Sequence, residues 1–590
     1  MAYSNRGTAK ISIKDEPGAT QDLHKAIELN PKSAVAYNGL GLVKMKRGNY
    51  AGSLEDLGKA IEIDPEDATA YRNRGVAKIE LKDYTGALQD YNKVVAIRPD
   101  NPKAYHDCGY AKYLLKDYAG ALQDLTKAID LKLQKSDLYC LRGATKANLK
   151  DDVGAIDDFS KAILLDARNA EAYSNRGAEK RELKDFEGAL RDLNTAIELD
   201  PKRAMAYNNR ALTKADLKDY SGALQDENKA IELDPEDEQY HYKRGQLKYD
   251  MKDWPGALQD FSRAMELRPE YSDVYNARGA TMVKLNDYAG AVQSFDKAIE
   301  MDSKNAESYS NRGATKIMLK DPAGAIQDIN KAIELDASYV MAYNNRGKAK
   351  DDLEDYSGAI RDFDKAIELE PKNPAYVSAY NNRGHAKGKL HDYAGALQDY
   401  RMALELDSSL VEAYSGRGYL KLQMNDFDGA ILDFHKALDL NPRLDGVYNN
   451  LGYAKLKLKD YTGALQDCSK AIELNPKDAY PYNNRADAKC ELGDYTGALL
   501  DCSTSLELDA KNEYAYNVLG KIRSKRKEYT EAMSAFNKAI ELNPKFAEGY
   551  RSRGLEKIAR GDRTQGCSDL RKAMELGDST SDVLIKQYCK

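Results

Sequence analysis

Few residues in this chain are spaced for catalysis. Of its six histidines, His385 and His391 lie closest together, six residues apart. That spacing does not put two imidazoles on one face of a 3.6-residue helix, and one of the pair falls near a turn, so no metal site is expected there. The seven cysteines form no CxxC pair and no Cys/His cluster with zinc spacing. A phosphate-cradling glycine loop, a GxSxG nucleophile elbow, an HExxH pair and kinase signatures are all absent. Neither an enzyme nor a bound cofactor or metal is expected. What recurs instead is asparagine, at Asn5, Asn73, Asn175, Asn209, Asn311, Asn345, Asn382, Asn450 and Asn484. An Asn amide has both a donor and an acceptor, so a file of them can bracket the N–H and C=O of an extended peptide without reading its sequence.

The phrase that carries these asparagines, AYxNRGxAK, dictates the elements that must hold them. Its glycine, or an alanine in its place, recurs 17 times from Gly7 to Gly554, always 34 residues apart except for a step of 37 between Gly347 and Gly384. The extra three residues, 374–376, fall in KNPAYVSAY. Each copy reads as two amphipathic helices. In one copy, 342–353 repeats small or apolar residues at helical spacing, and 357–369 places Ala359, Ile360, Phe363, Ala366 and Ile367 at i, i+3, i+4. Asp355 stands where an N-cap would serve the second helix, and Pro201, Pro235 and Pro476 follow second helices where they must stop. A single hairpin cannot bury its own apolar face, so the copies must stack.

Composition excludes several classes. Lys and Arg number 89 against 95 Asp and Glu, a net charge of -6, which lacks the basic excess that nucleic acid binding needs. No apolar run approaches the roughly 20 residues of a membrane span, and the first residues hold no signal-peptide stretch, so membrane insertion is not expected and the default is a cytoplasmic protein, unless a leading segment is missing. There is no Asn-x-Ser/Thr acceptor.

The 34-residue phrase resembles the tetratricopeptide repeat, whose pattern has an aromatic, a Leu-Gly pair, a later aromatic, two alanines and a proline, and the array resembles bacterial members of that family. Tyr holds the first aromatic position in 16 copies, His241 being the exception; the second aromatic stands in 13, such as Tyr84, Phe186 and Trp254. The resemblance implies an all-α fold, a right-handed α-solenoid superhelix of helix-turn-helix repeats. The expected division is repeats 1–11 over 1–373, the insertion 374–376, repeats 12–17 over 377–580, and a capping tail at 581–590 with Val583, Leu584 and Tyr588 as a lid. In such a fold the first helices line a concave groove that takes peptides or a partner's helix. Apolar groove candidates are Tyr110, Tyr113, Leu114, Tyr242, Tyr249, Tyr419, Leu422, Tyr453 and Leu456; between them Glu182, Asp216, Asp250, Asp351 and Asp352 favour a partner bearing Lys or Arg. The closing segment also resembles that of bacterial relatives in which two cysteines recur like Cys567 and Cys589, which raises a bridge between them without deciding it.

Three positions depart from the family pattern together. The leucine before the glycine is Arg in 13 copies, a following tyrosine is mostly Lys, and the second helix carries Asp where an aromatic is usual, as at Arg176, Lys180 and Asp192. The copy with Met282 for Lys has Ser294 for Asp, and the copy with Leu519 for Arg has Ala535. A ladder of partly buried ion pairs is expected, the alternative being a solvated charged face. Glu227 occupies a core position held elsewhere by Phe261, Leu193 or Tyr400, and is expected to bend towards Lys214 or solvent; Cys468 and Cys502, in the same column, read as packing thiols. The function expected is a scaffold binding other proteins or peptides along the groove; the alternative is a homo-oligomer or filament formed by end-to-end or groove contacts.

Overall fold

A computed structural model of the chain describes residues 1–370 and 377–589. Among them are 35 helices, numbered α1–α35 in chain order, and no strand. The first 34 alternate as first and second helices of 17 repeats, and packing divides the chain into two compact units, 1–287 and 288–590, each described by itself. The insertion 374–376 lies outside the described residues.

One hairpin explains the rest. α21 (Val340–Asp352) and α22 (Tyr356–Leu369) are joined by a turn in which Glu354 takes a left-handed φ of 61°. Asp355 then caps α22, its carboxylate accepting from the Gly358 N–H at 2.8 Å. The repeating glycine is needed because the helices approach closely: a Cβ on Gly347 would meet the Phe363 ring at 2.5 Å. Ala359, Phe363 and Ala366 of α22 are fully buried.

The charged columns form the expected ladder, and the solvated alternative fails. In 12 repeats one Asp of the second helix receives both the Arg and the Lys of the first, and these carboxylates are only 1–7% exposed. At Asp192 the contacts are 2.8 Å from Arg176 Nε, 2.7 Å from its Nη2 and 2.7 Å from Lys180. Nine of these arginines reach back with Nη1 to the preceding repeat, as Arg210 does to Asn194 at 2.8 Å and Arg346 to Asn330 at 2.7 Å. One guanidinium therefore ties three helices through bidentate, charge-assisted bonds. Eleven of the 12 arginines also lie against the tyrosine three residues before them, 5.0–5.7 Å from the ring centroid. Where the charge pattern lapses, Met282, Ser294 and Ala535 are buried.

At the end of the second unit, α35 (Ser579–Tyr588) packs on α34 (Arg563–Glu575), and Cys567 is bridged to Cys589. Ser581 is buried there and Leu584 and Tyr588 half-buried, but Val583, expected in the lid, is 63% exposed.

Candidate functional site

In each unit consecutive first helices touch one another, whereas no two second helices make comparable contact among the described residues. The first-helix side is therefore the crowded inner side. That crowding spends the donors of the asparagine column. Asn73 Nδ2 donates to Asn38 Oδ1 of the preceding repeat at 2.8 Å, Asn484 to Asn449 at 2.8 Å, Asn345 to Ser310 at 3.3 Å, Asn209 to Ser174 at 3.5 Å and Asn382 to Asn344 at 3.5 Å. Asn175 points its amide at Cys140 Sγ, 3.9 Å away. In one pair of repeats the same stitch is an ion pair, Arg72 to Asp107 at 2.5 Å. Asn311 and Asn450 are half-buried, Asn73 is buried, and Asn5 alone of the nine is exposed. The column joins repeats.

Unit 1 carries an open cavity of about 690 Å³ on α7 (Pro102–Leu114), α9 (Ser136–Asn148) and the start of α11 (Ala170–Glu182). Tyr110 and Tyr113, predicted groove residues, line it together with Leu141, Ala144 and Cys140; Leu114 is half-buried nearby in sequence. Tyr110 is 39% exposed, and Tyr113 stacks edge-on against Tyr118 at 5.6 Å. Asp137, Asp166, Glu171 and Asp200 surround these apolar groups, against Arg168 and Arg203. Arg203 is drawn to Asp200 at 3.5 Å and Glu171 at 3.9 Å, which leaves a net acidic rim. Farther along α11, burial and the neighbouring Asp152 and Glu182 push the Glu179 carboxyl up to about 7. Arg181 offsets part of this charge, pairing with Asp216 at 2.6 Å and Glu182 at 3.0 Å.

Unit 2 presents the opposite arrangement. α27 (Asp445–Lys457), α29 (Ala479–Glu491), α31 (Glu513–Lys525) and α33 (Ala547–Ala559) are first helices of four successive repeats. Across them Glu548 meets Lys521 at 3.0 Å, Lys457 at 3.4 Å, the Asn517 amide at 3.5 Å and Arg551 at 3.6 Å. Lys521 also reaches Asp487 at 3.2 Å, and Arg551 reaches Asp578 at 2.8 Å. These cations hold the Glu548 carboxyl far below its ordinary range, and the carboxylates raise the Lys521 ammonium well above its own. The Lys457 ammonium lies over the Tyr453 ring, 4.9 Å from its centroid, so this candidate aromatic already has a cation from its own chain. Sequence reasoning missed the network; its one local trace is a sign change in a column, Asp487 and Lys521 each following the repeat's small residue.

The remaining candidates do not converge. Tyr242 and Leu422 are corrections: both are buried rather than groove-facing, Tyr242 against Phe261 and Tyr271 and Leu422 among Ala430, Phe434 and Leu438. Tyr249 and Leu456 are half-buried and Tyr419 is 48% exposed. His391 sits in a turn with φ of 63° beside Tyr393, while His385 meets Asp351 at 3.2 Å. Cys468 and Cys502 are buried, burial raising both thiols, the first to about 12. Glu227 reaches neither solvent nor Lys214: it is 1% exposed, with both oxygens unpartnered, and its carboxyl is pushed up to about 8 by burial. Among the described residues no three His, Cys, Asp or Glu side chains are grouped to hold a metal ion.

Family models described as tetratricopeptide repeat match residues 38–102, 174–238, 242–306, 340–373, 377–410, 411–444, 447–478, 468–499 and 513–546, together more than half of the sequence. The chain belongs to the tetratricopeptide repeat family. No curated protein matches it. Among solved structures, the Cut9-Hcn1 hetero-tetramer of APC/C aligns over 89% of this chain and 96% of its own at 16% identity and a TM-score of 0.43. A tetratricopeptide repeat protein from Parabacteroides merdae aligns over 42% and 99% at 20% identity and a TM-score of 0.38. YrrB, a TPR protein with an unusual peptide-binding site, aligns over 31% and 94% at 26% identity and a TM-score of 0.27.

Proposed function

We propose that this chain is a non-enzymatic protein-interaction scaffold, and that its first-helix cavity in repeats four to six takes a peptide segment in which an apolar or aromatic side chain adjoins Lys or Arg. The observation that carries this reading is the cavity itself: Tyr110, Tyr113 and Leu141 stand unfilled within a net acidic rim. Exposed aromatics of this kind anchor partners, and acidic rims select cationic neighbours. Peptide display against the full chain tests it. Selected sequences should share an aromatic or leucine next to Lys or Arg and lose binding to Tyr113→Ala; selection of acidic peptides, or binding indifferent to that substitution, would sink the reading.

One surface weighs against the self-assembly alternative, because α35 packs on α34, the second helix of the last hairpin. Light scattering over a concentration series separates the two: a constant mass near 65.8 kDa supports the scaffold. As to place, no described helix is long and apolar enough to cross a membrane. A Cys567–Cys589 bridge persists in oxidising compartments, which weighs against the expected cytoplasm.

A further inference from the structure

The residue just before a first helix decides what stands at the head of that helix. Asn169, Asn305 and Asn512 cap there, each accepting from the N–H three residues on, at 2.9, 3.0 and 3.1 Å. α13 (Ala204–Asp216) has Arg203 at this place, and no side chain caps its first turn. A larger side chain here turns instead onto the residue 32 positions earlier, near the start of the preceding first helix. Tyr271 donates to Gln239 across that offset at 3.2 Å, and Phe546 packs on Tyr514 with ring centroids 4.7 Å apart. Arg203 follows the same path to Glu171, its Nη2 3.9 Å from the carboxylate, while its Nε stands 3.5 Å from Asp200.

That path takes Arg203 into the wall of the first-helix cavity of repeats four to six, where Glu171 and Asp200 form an acidic corner. The corner is held loosely. Nε is shut off from water yet makes no hydrogen bond, and both ion-pair distances exceed the roughly 2.7–2.9 Å of a well-formed charge-assisted pair. The ladder arginines show what this chain achieves elsewhere, as when Arg176 grips Asp192 through Nε at 2.8 Å and Nη2 at 2.7 Å. Glu171 and Asp200 keep 57% and 42% of their side-chain surface in water, so neither is saturated by Arg203. The arginine also sits at the N-terminal end of α13, where the helix dipole disfavours a positive charge. A cap is given up, a donor is left unbonded and a cation is set at the wrong helix end, all to place one guanidinium where a partner's Lys or Arg would otherwise go.

We propose that Arg203 is an internal competitor for this cavity. It occupies the Glu171–Asp200 corner in the free protein and yields it to a Lys or Arg side chain of the bound peptide, and so sets how strongly the cavity selects a cationic neighbour. Because this role rests on the cavity's taking a peptide, the test keeps the two apart. A display-selected peptide, and its copy with norleucine in place of the Lys or Arg, are titrated by calorimetry at 0.15 M salt against the full chain as wild type, Arg203→Asn, Lys202→Asn and Tyr113→Ala. Arg203→Asn installs the residue that caps at Asn169, Asn305 and Asn512, and should fold. It should tighten the cationic peptide about fivefold, the worth of one partly exposed ion pair, and leave the norleucine copy unchanged. Lys202→Asn removes the same charge one residue away, from an exposed side chain outside the cavity wall, and should change either peptide by less than about twofold. No gain in Arg203→Asn, an equal gain in Lys202→Asn, or an equal gain for the norleucine copy would each overturn the proposal, while loss of binding in Tyr113→Ala would still uphold the cavity. Binding indifferent to Tyr113→Ala would remove the cavity reading and the competitor with it.

Discussion

Glu227 in the first unit and Glu548 in the second are glutamates set among packed helices, with opposite fates. Glu227 has no hydrogen-bond partner, and removal from water dominates, raising its carboxyl to about 8 despite the attraction of Lys243 and Arg244. Glu548 collects Lys521, Lys457, Arg551 and Asn517 from three repeats, and their attraction outweighs desolvation. The scaffold around the two is the same hairpin. What differs is whether adjacent repeats deliver partners within bonding distance, which decides whether a charge between stacked helices binds the array together or weakens it.

The largest effect that tests this contrast is loss of Glu548. Glu548→Ala strands Lys457 and leaves Lys521 and Arg551 with one carboxylate each, Asp487 and Asp578, and should destabilise repeats 14–17 by about 3 kcal/mol at neutral pH, read as faster hydrogen exchange in α27, α31 and α33; a loss below about 1 kcal/mol would mean that the network is solvated and inert. Glu227→Leu should act in the other direction. It removes an unpaired carboxylate and restores an apolar side chain, stabilising repeats seven and eight by up to about 4 kcal/mol at pH 9 and by far less at pH 4.

The pH profiles of the wild type should diverge accordingly. Glu227 has a folded pKa raised above its unfolded value, so its region is most stable below about pH 4.3 and loses stability as pH rises from there to about 8. Glu548 has a depressed one, so its contribution is complete above about pH 4.3 and is lost as pH falls below that. Hydrogen exchange resolved by helix, at pH 4 and pH 8, should show opposite changes in the two regions. Changes of the same sign in both would break the comparison.

The hairpins were legible because a 34-residue period with a small residue at each closest approach leaves one way to stack. The ladder was legible for a related reason: Arg176, Lys180 and Asp192 sit in three columns that change together, and Met282 with Ser294 shows the linkage inside one chain. The inner face was less so. The asparagine column reads as peptide-binding only if its donors are free, and whether Asn73 reaches Asn38 depends on how tightly first helices crowd, which no single repeat encodes. Tyr242 and Leu422 were misplaced on the same account, since one helical position lies in the groove or under the next repeat according to its neighbours' bulk. The contact of Lys457 with Glu548 joins residues 91 apart, and nothing local announces it.

The smaller effects concern binding, and they ask whether the open first-helix face differs in kind from the filled one. Tyr110→Ala with Tyr113→Ala should cost a display-selected peptide about 2 kcal/mol, roughly 30-fold in Kd, by calorimetry. Tyr453→Ala with Leu456→Ala, on the face where Lys457 covers the aromatic, should leave that affinity unchanged; equal losses from both pairs would mean that the peptide does not distinguish the two faces. Asp137→Asn should weaken the same peptide by only a few-fold, because a rim charge in water acts mainly on association. Raising salt from 0.05 to 0.5 M should erase most of that difference between wild type and Asp137→Asn while leaving the tyrosine effect in place, since ions screen the rim and not the buried ring. If salt abolished the tyrosine effect too, the cavity would be an electrostatic surface rather than an apolar anchor.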